Sequence, residues 1–462
     1  MIDSFGRSIS FAYDGNGLLT QATTPDQLTI NYTYTNASPM ASNPALSGIT
    51  FLSLPVGFFA LASVSYPNAT FVSYQYGNSA YPFALTGKTD ERGIQISTWN
   101  WTTDGRVAQN SQAGGVETYS LVYDFNNGQT TVTNPDNMQT IYNFNANVAN
   151  TPLLTQIQGI ASANCAASNS IYAYDSNTYL NQVTDGEGRV TSYVREARGL
   201  PTAITRGAGT ASAATTMVTW HSTWHVPTEV VEPGRTTDYV WSSAGQLTSI
   251  TQTDTTSQSV PYSTNGQTRT WTVAYTGLHV SSVDGPLPGT GDTVSYTYDT
   301  NGYLNTITNE LGQVTTITAT NLRGQPTSIT DPNGIITALT YNKRGWLKSV
   351  SVDTANTPAT TKIGYDAAGD ITTITEPNGA FLSFTYDGAR RLATVTDAAG
   401  ETITFVRDVM GNATSVAVKN AAGAVAYSKT QVFDELGRII QSLGAVPANS
   451  TYTFGYDRYL RL

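Results

Sequence analysis

Apolar and polar residues alternate along most of this chain, in short runs separated by turn residues. In Thr293-Val-Ser-Tyr-Thr-Tyr298 every second side chain is apolar or aromatic, the pattern of a strand with one face covered. Asp299-Thr-Asn-Gly302 follows and reads as a turn: Asp bonds its own downstream backbone, and Gly takes positive φ without steric cost. Tyr303-Leu-Asn-Thr-Ile-Thr308 alternates again, Asn309-Glu-Leu-Gly312 is a second turn, and Gln313-Val-Thr-Thr-Ile-Thr318 begins the next strand. The pattern predicts two strands and two turns per unit, joined into a long antiparallel meander with no helices to speak of.

The unit recurs with the template Tyr-Asp-x-x-Gly-x-Leu-x-x-Ile-Thr. Tyr298, Asp299, Gly302 and Leu304 supply one copy, and Tyr365, Asp366 and Gly369 another. Tyr13, Asp14 and Gly17 fit, as do Tyr174 and Asp175 with Thr178 at the Gly position, Tyr386 and Asp387, and Phe433, Asp434 and Gly437. Tyr341 and Gly345 mark a copy with Asn in place of Asp. From residue 298 onward the first position returns every 21 to 26 residues, and looser copies upstream bring the total to about 19. The whole chain, 1–462, therefore reads as one array: regular over 290–462, more degenerate over 1–289, with insertions near 35–75, 145–173 and 251–274. One hairpin alone is not stable, so such an array gains stability unit upon unit. The recurrent Tyr has a ring to pack and a hydroxyl to satisfy, which predicts stacked tyrosines between sheet layers.

Composition sharpens this picture. Only 12% of residues are charged, while Gly numbers 40 and Tyr 27. That leaves little material for surface helices and much for strands and turns. The net charge is -10, and Lys and Arg are scattered singly. A phosphate-binding face would be basic, so no nucleic acid partner is expected, nor attraction to an anionic membrane. Cys165 stands alone among small residues, which excludes an internal disulfide and a Cys-based metal site. The start of the chain lacks the features of a signal peptide. The most apolar stretch, 49–64, is broken by Ser53, Pro55 and Gly57 and is too short to span a bilayer as a helix.

Candidate chemistry is sparse. His221 and His225 are four apart in Trp220-His-Ser-Thr-Trp-His225, but the segment reads as strand, where that spacing is about 13 Å and too long for one metal. His279 is isolated, so no metal site and no cofactor are expected. The acids sit mostly in turns, once per unit, which makes them poor catalytic candidates, because an active site needs one special place. Gly207-Ala-Gly209 lacks the Lys-Ser/Thr of a phosphate loop. Trp99, Trp101, Trp220, Trp224, Trp241, Trp271 and Trp346 are candidates for an aromatic binding face, or else fill the space between sheet layers.

The template Tyr-Asp-x-x-Gly-x-Leu, with Asp331-Pro-Asn-Gly334, resembles the Rhs or YD-repeat proteins along essentially the whole chain. The resemblance implies a β-sheet strip that spirals into a hollow shell. In bacterial polymorphic toxins and toxin complexes such a shell encloses a toxic domain; in teneurins a similar barrel serves adhesion. It implies a structural, non-catalytic segment of bacterial origin, secreted or at the cell surface by a route not encoded here. Its partners would be other shell segments and an enclosed toxin domain. The family's self-cleaving Asp-Pro-x-Gly-Leu ending has its nearest text at Asp331-Pro-Asn-Gly-Ile335, a mid-array turn without the Leu, so cleavage is not carried over. Both ends fall in mid-unit, which suggests part of a longer protein and exposed edges open to edge-to-edge self-association. Three other readings stay open: a carbohydrate- or protein-binding repeat module, an outer-membrane barrel, and a β-propeller with two units per blade.

Overall fold

The hairpin around Asp299 explains why the template spaces Leu and Ile three residues apart. β23 (Val294–Tyr298) and β24 (Leu304–Thr308) pair antiparallel, with Tyr296 opposite Ile307 and Tyr298 opposite Leu304. In a regular strand, residues three apart point to opposite faces. Here the register shifts between Thr297 and Tyr298. The extra residue on β24 forms a bulge and brings Leu304 and Ile307 onto one face with both tyrosines. The same shift precedes Tyr13, Tyr174, Tyr341, Tyr365, Tyr386 and Phe433, and also Trp220, Trp241, Arg195 and Arg407 where the template Tyr is replaced.

These hairpins join without interruption. In the computed structural model, which describes residues 1–2, 6–37, 58–146, 152–161, 167–354, 357–445 and 450–453, there are 37 strands from β1 (Ser10–Tyr13) to β37 (Ser450–Thr453). Each strand pairs antiparallel with the next, from the β1 pairing through to the last one onto β37. All belong to one open sheet. Among the described residues the one helical element is a three-residue 3-10 turn, Ala113–Gly115. One continuous sheet excludes the propeller, whose blades are separate sheets. Cys165 and most of the apolar stretch 49–64 lie outside the described residues.

The sheet is a single wall. Among the described residues no large side chain is below 2% exposed, and the buried apolar residues are few and mostly small: Ala22, Ala60, Val64, Val72, Ala84, Met138 and Ala368. The expectation of tyrosines stacked between layers is therefore corrected: among the described residues there is no second layer, and template rings such as Tyr298, Tyr341, Tyr365 and Tyr386 lie half-buried on one face. The opposite face is lined by neutral polar pairs, such as Thr297 with Thr306, Thr385 with Thr394 and Gln129 with Asn143. Cross-strand pairs of this kind stabilise a sheet without a packed core beneath it.

Candidate functional site

Three devices repeat along the wall and decide what it can do. The first is a ladder of donors. Tyr341 Oη donates to the carbonyl of Pro326, Tyr365 Oη to that of Leu347, and Tyr386 Oη to that of Ile371, at 2.8 to 2.9 Å. Each acceptor occupies the Leu position of the preceding unit. Tyr34, Tyr76, Tyr123, Tyr174, Tyr275 and Tyr298 do the same. Where Trp or Arg stands in the Tyr position, Nε1 of Trp101, Trp220 and Trp241 or the guanidinium of Arg195 and Arg407 takes over the bond. The template Tyr is thus a link between units. Burial raises the hydroxyl pKa of Tyr34, Tyr76, Tyr123, Tyr174, Tyr365 and Tyr386, with the neighbouring tyrosines Tyr32, Tyr74 and Tyr172 adding to it at Tyr34, Tyr76 and Tyr174, Asp370 and Asp366 adding at Tyr386, and Arg106 opposing it at Tyr123.

The second device is the turn. Asp299 Oδ1 accepts from the backbone N–H of Asn301 and Tyr303, and the Gly302 N–H donates to the Asp299 carbonyl. Asp14, Asp175, Asp366, Asp408 and Asp434 repeat this side-chain pattern, and so do Asp331 and Asp397 in the second turn of their units. The Leu18 N–H, opposed by burial and helped by Asn16, holds the Asp14 carboxyl below its ordinary value. At Asp387 burial works against the charge, but the N–H and guanidinium of Arg391 outweigh it and the carboxyl is again lowered. Gly369 meets two demands: its φ is +97°, and a Cβ there would lie 2.7 Å from the Trp346 ring of the preceding unit. Arg390 takes the Gly position in its own unit at φ 65°, and its side chain pairs with Asp370 at 2.8 Å.

The third device was not legible in the sequence. Turns far apart in the chain meet edge to edge. The turn between β2 (Leu19–Thr23) and β3 (Thr29–Ala37) touches the one between β25 (Val314–Thr320) and β26 (Pro326–Thr330), through Arg323 Nε and Asp26 Oδ2 at 2.7 Å. The turn between β10 (Gln129–Thr133) and β11 (Gln139–Ala146) meets the one between β35 (Val425–Phe433) and β36 (Ile439–Ala445), where Asn134 Nδ2 donates to the Glu435 carbonyl at 2.6 Å. Between these points Arg344 binds Glu91 at 3.0 Å, Arg92 donates to the carbonyls of Asp387 and Gly388, and the Glu117 N–H donates to the Val409 carbonyl. The side-chain bonds join residues 253 to 301 apart in sequence. One winding of the sheet therefore takes about 24 strands, and its second-turn edge seats on the first-turn edge of the next winding.

Three ion pairs cross this seam with the acid on the first winding, and Arg92 with Asp366, at 3.9 Å, runs the other way. Asp26, Glu91 and Glu117 belong to the first winding; Arg323, Arg344 and Arg391 belong to the second. Arg344 is also sandwiched by rings, 3.5 Å from the Tyr66 centroid and 4.9 Å from that of Trp346. The deeply buried carboxylates Asp90 and Asp434, each 2% exposed, sit in seam turns and pair with Arg92 and Arg438 of their own turns. Asp136 lies there too, its carboxyl raised by burial and by the charges of Asp408 and Glu435.

The sequence candidates fall as follows. Of the repeat-signature residues, Tyr174, Tyr298, Tyr341, Tyr365 and Tyr386 lie in the ladder and the Asp and Gly residues in turns, whereas Tyr13 is exposed and Phe433 has no hydroxyl to donate. All seven tryptophans are half-buried on the wall: Trp101, Trp220 and Trp241 act as ladder donors, and Trp224 and Trp346 cover the turn glycines of the next unit, Gly245 and Gly369. The expected strand at 220–225 ends at Trp220, because residues 221–226 form a turn one residue longer than the template. His279 lies elsewhere, stacked on Tyr298 at 4.3 Å. Among the described residues no group of three or more His, Cys, Asp or Glu is placed to hold a metal. No helix among them is long and apolar enough to cross a membrane.

With this geometry in hand, comparisons with known proteins can be placed. The family model of the RHS repeat matches residues 321–359 and 365–402. No curated protein matches the chain. Among solved structures the chain is similar to TcdB2-TccC3-Cdc42, at 14% identity and a TM-score of 0.63, over 97% of this chain and 25% of that one. It is similar also to TcdB2-TccC3-TEV, at 12% identity and a TM-score of 0.63, over 96% and 25%. The chain thus spans about a quarter of the length of the structures it matches.

Proposed function

Since this chain is an Rhs/YD-repeat protein, we propose that it is a structural, non-catalytic segment of a shell that encloses or scaffolds a toxin cargo for delivery. The observation that carries the reading is the seam, together with the absence of a packed core among the described residues. Eight strands close around their own side chains, and 16 to 18 leave a channel. A winding of about 24 strands surrounds a lumen. At about 4.8 Å between strands, the winding measures about 115 Å across its strands, or about 37 Å in diameter if drawn as a circle. The turn carboxylates support the non-catalytic role: Oδ1 of each is committed to backbone N–H groups. The partners in this reading are further shell segments and the cargo. The setting is outside the producing bacterial cell.

The test joins a protease-sensitive polypeptide to the chain after Leu462 and images the particles by electron microscopy. A wall around low density, with the added chain inside and slow to be cut, is the expected result. A solid particle, or an added chain cut at the rate of the free polypeptide, overturns the proposal.

A further inference from the structure

His221 occupies the Asp position of its unit, directly after the ladder donor Trp220. Its imidazole does the work that a carboxylate does elsewhere: Nδ1 accepts from the backbone N–H of Thr223 at 3.1 Å and of Trp224 at 3.2 Å. The other first-turn acceptors are oxygens of Asp, Asn, Thr or Ser, such as Asp175, Asp299, Asn342, Thr102 and Ser242. An oxygen acceptor of these kinds keeps its lone pairs between pH 5 and 8. An imidazole does not, since a proton on Nδ1 turns the acceptor into a donor facing two donors.

We propose that the turn at 221–226 is an acid-sensitive element in the rim of the first winding, closed by the neutral His221 imidazole and opened when Nδ1 takes a proton. The geometry couples that one atom to its neighbours. The His221 ring stacks on Trp224 at 4.3 Å, and Trp224 in turn lies 3.6 Å from where a Cβ of Gly245 would stand. From the preceding unit, Arg198 donates to the His221 carbonyl at 2.9 Å while paired with Glu196. From the following unit, the turn at 242–246 presents no charged group. Within the hairpin the other titratable groups are His225, which is exposed, Glu229, which accepts from Thr219, and Glu232 at the far end, which pairs with Arg235. A cation at His221 therefore loses both backbone bonds at Nδ1, while Arg198 beside the turn is already neutralised by Glu196. The sign follows: the closed turn is present at neutral pH and lost as pH falls. The turn lies on the edge opposite the seam, so it can open while the windings stay joined. This goes beyond the shell reading and does not depend on any cargo.

The test is amide hydrogen exchange on the full chain between pH 7.5 and pH 5.0, each rate normalised to its intrinsic value at that pH. Protection of the Thr223 and Trp224 amides should fall of order ten-fold at pH 5.0, the scale expected for losing two hydrogen bonds. The amides of Asn301 and Tyr303, held by Asp299, should not change. His221→Asn, which supplies an oxygen acceptor, should abolish the pH dependence, and His225→Asn should leave it in place. Constant protection in the unaltered chain overturns the proposal, as does an equal fall in His221→Asn or its loss in His225→Asn. Should His221→Asn fail to fold, the unaltered chain against its Asp299 turn, with His225→Asn, still decides.

Discussion

Arg344 offers the sharpest test of the seam. Its guanidinium is 14% exposed and its partner carboxylate, Glu91, 7%. Arg344→Ala strips the cation and leaves Glu91 in a place that water barely reaches. Breaking a buried pair on one side costs about 3 to 5 kcal/mol, and the lost stacking on Tyr66 and Trp346 adds about 1 kcal/mol. Residual access to solvent lowers the first figure, so about 3 kcal/mol is expected for opening the seam there. At 1.4 kcal/mol per factor of ten, that is roughly a hundred-fold rise in the open population. Glu91→Gln leaves the Arg344 cation, but Gln still offers it an oxygen acceptor and the Tyr66 and Trp346 rings still face it, so a smaller cost, about 1 to 2 kcal/mol, is expected. Arg235, paired with Glu232 on an exposed part of the wall at 50% and 35%, serves as control, and Arg235→Ala should leave exchange almost unchanged. A long repeat array does not unfold in two states, so global melting is the wrong assay. Hydrogen exchange at residues 342–346 and 90–94 reads the seam directly. Equal exchange in Arg344→Ala and Arg235→Ala would refute the reasoning, as would a larger effect of Glu91→Gln than of Arg344→Ala.

Further outcomes follow from the repeat devices. Tyr365→Phe orphans the Leu347 carbonyl and should cost about 1 kcal/mol locally, whereas Phe433→Tyr supplies a donor where the array lacks one and should stabilise its hairpin by up to about 1 kcal/mol; exchange at the neighbouring strands checks both. Gly334→Ala meets open space and suffers only its positive φ, about 1 kcal/mol, while Gly369→Ala adds a clash with Trp346 and should cost at least twice that. In alkali the raised hydroxyls of Tyr34, Tyr76, Tyr123, Tyr174, Tyr365 and Tyr386 contribute stability that is complete below about pH 10 and lost as pH rises through their folded values. Their ultraviolet titration should therefore lag behind free tyrosine and coincide with loss of sheet signal.

The sequence showed the strands, the turns and the period, because each is written within about 20 residues. It left the Leu304 to Ile307 spacing unexplained, since three residues look like opposite faces until the bulge is known. The function of the template Tyr was half visible: the need of its hydroxyl for a partner could be read, but not that the partner is a carbonyl one unit back. The strand expected at His221 failed for a physical reason, because an imidazole can replace the Asp acceptor and one extra residue hid the frame. The seam was invisible. Its residues occupy the variable turn positions, such as Arg344 in Asn342-Lys-Arg-Gly345 and Asp26 in Thr24-Pro-Asp-Gln27, and they meet only after a full winding.

The low charge now has a structural sense. A wall of single thickness cannot hide charges in a core, and on its strands it uses neutral pairs such as Thr385 with Thr394. Asp residues go to turns, where N–H groups hold them. Many of the arginines are used where something must be bridged: between lips at Arg323, Arg344 and Arg391, between units at Arg195, Arg390 and Arg407. Hairpin length fixes the height of the wall and the ladder ties each unit to the last, but neither sets the curvature. The pitch is held by the ion pairs and hydrogen bonds that cross the seam. It follows that exchanging the charges of Asp26 and Arg323 together should preserve the winding while either change alone loosens it, a reversal that no purely local account of these turns would produce.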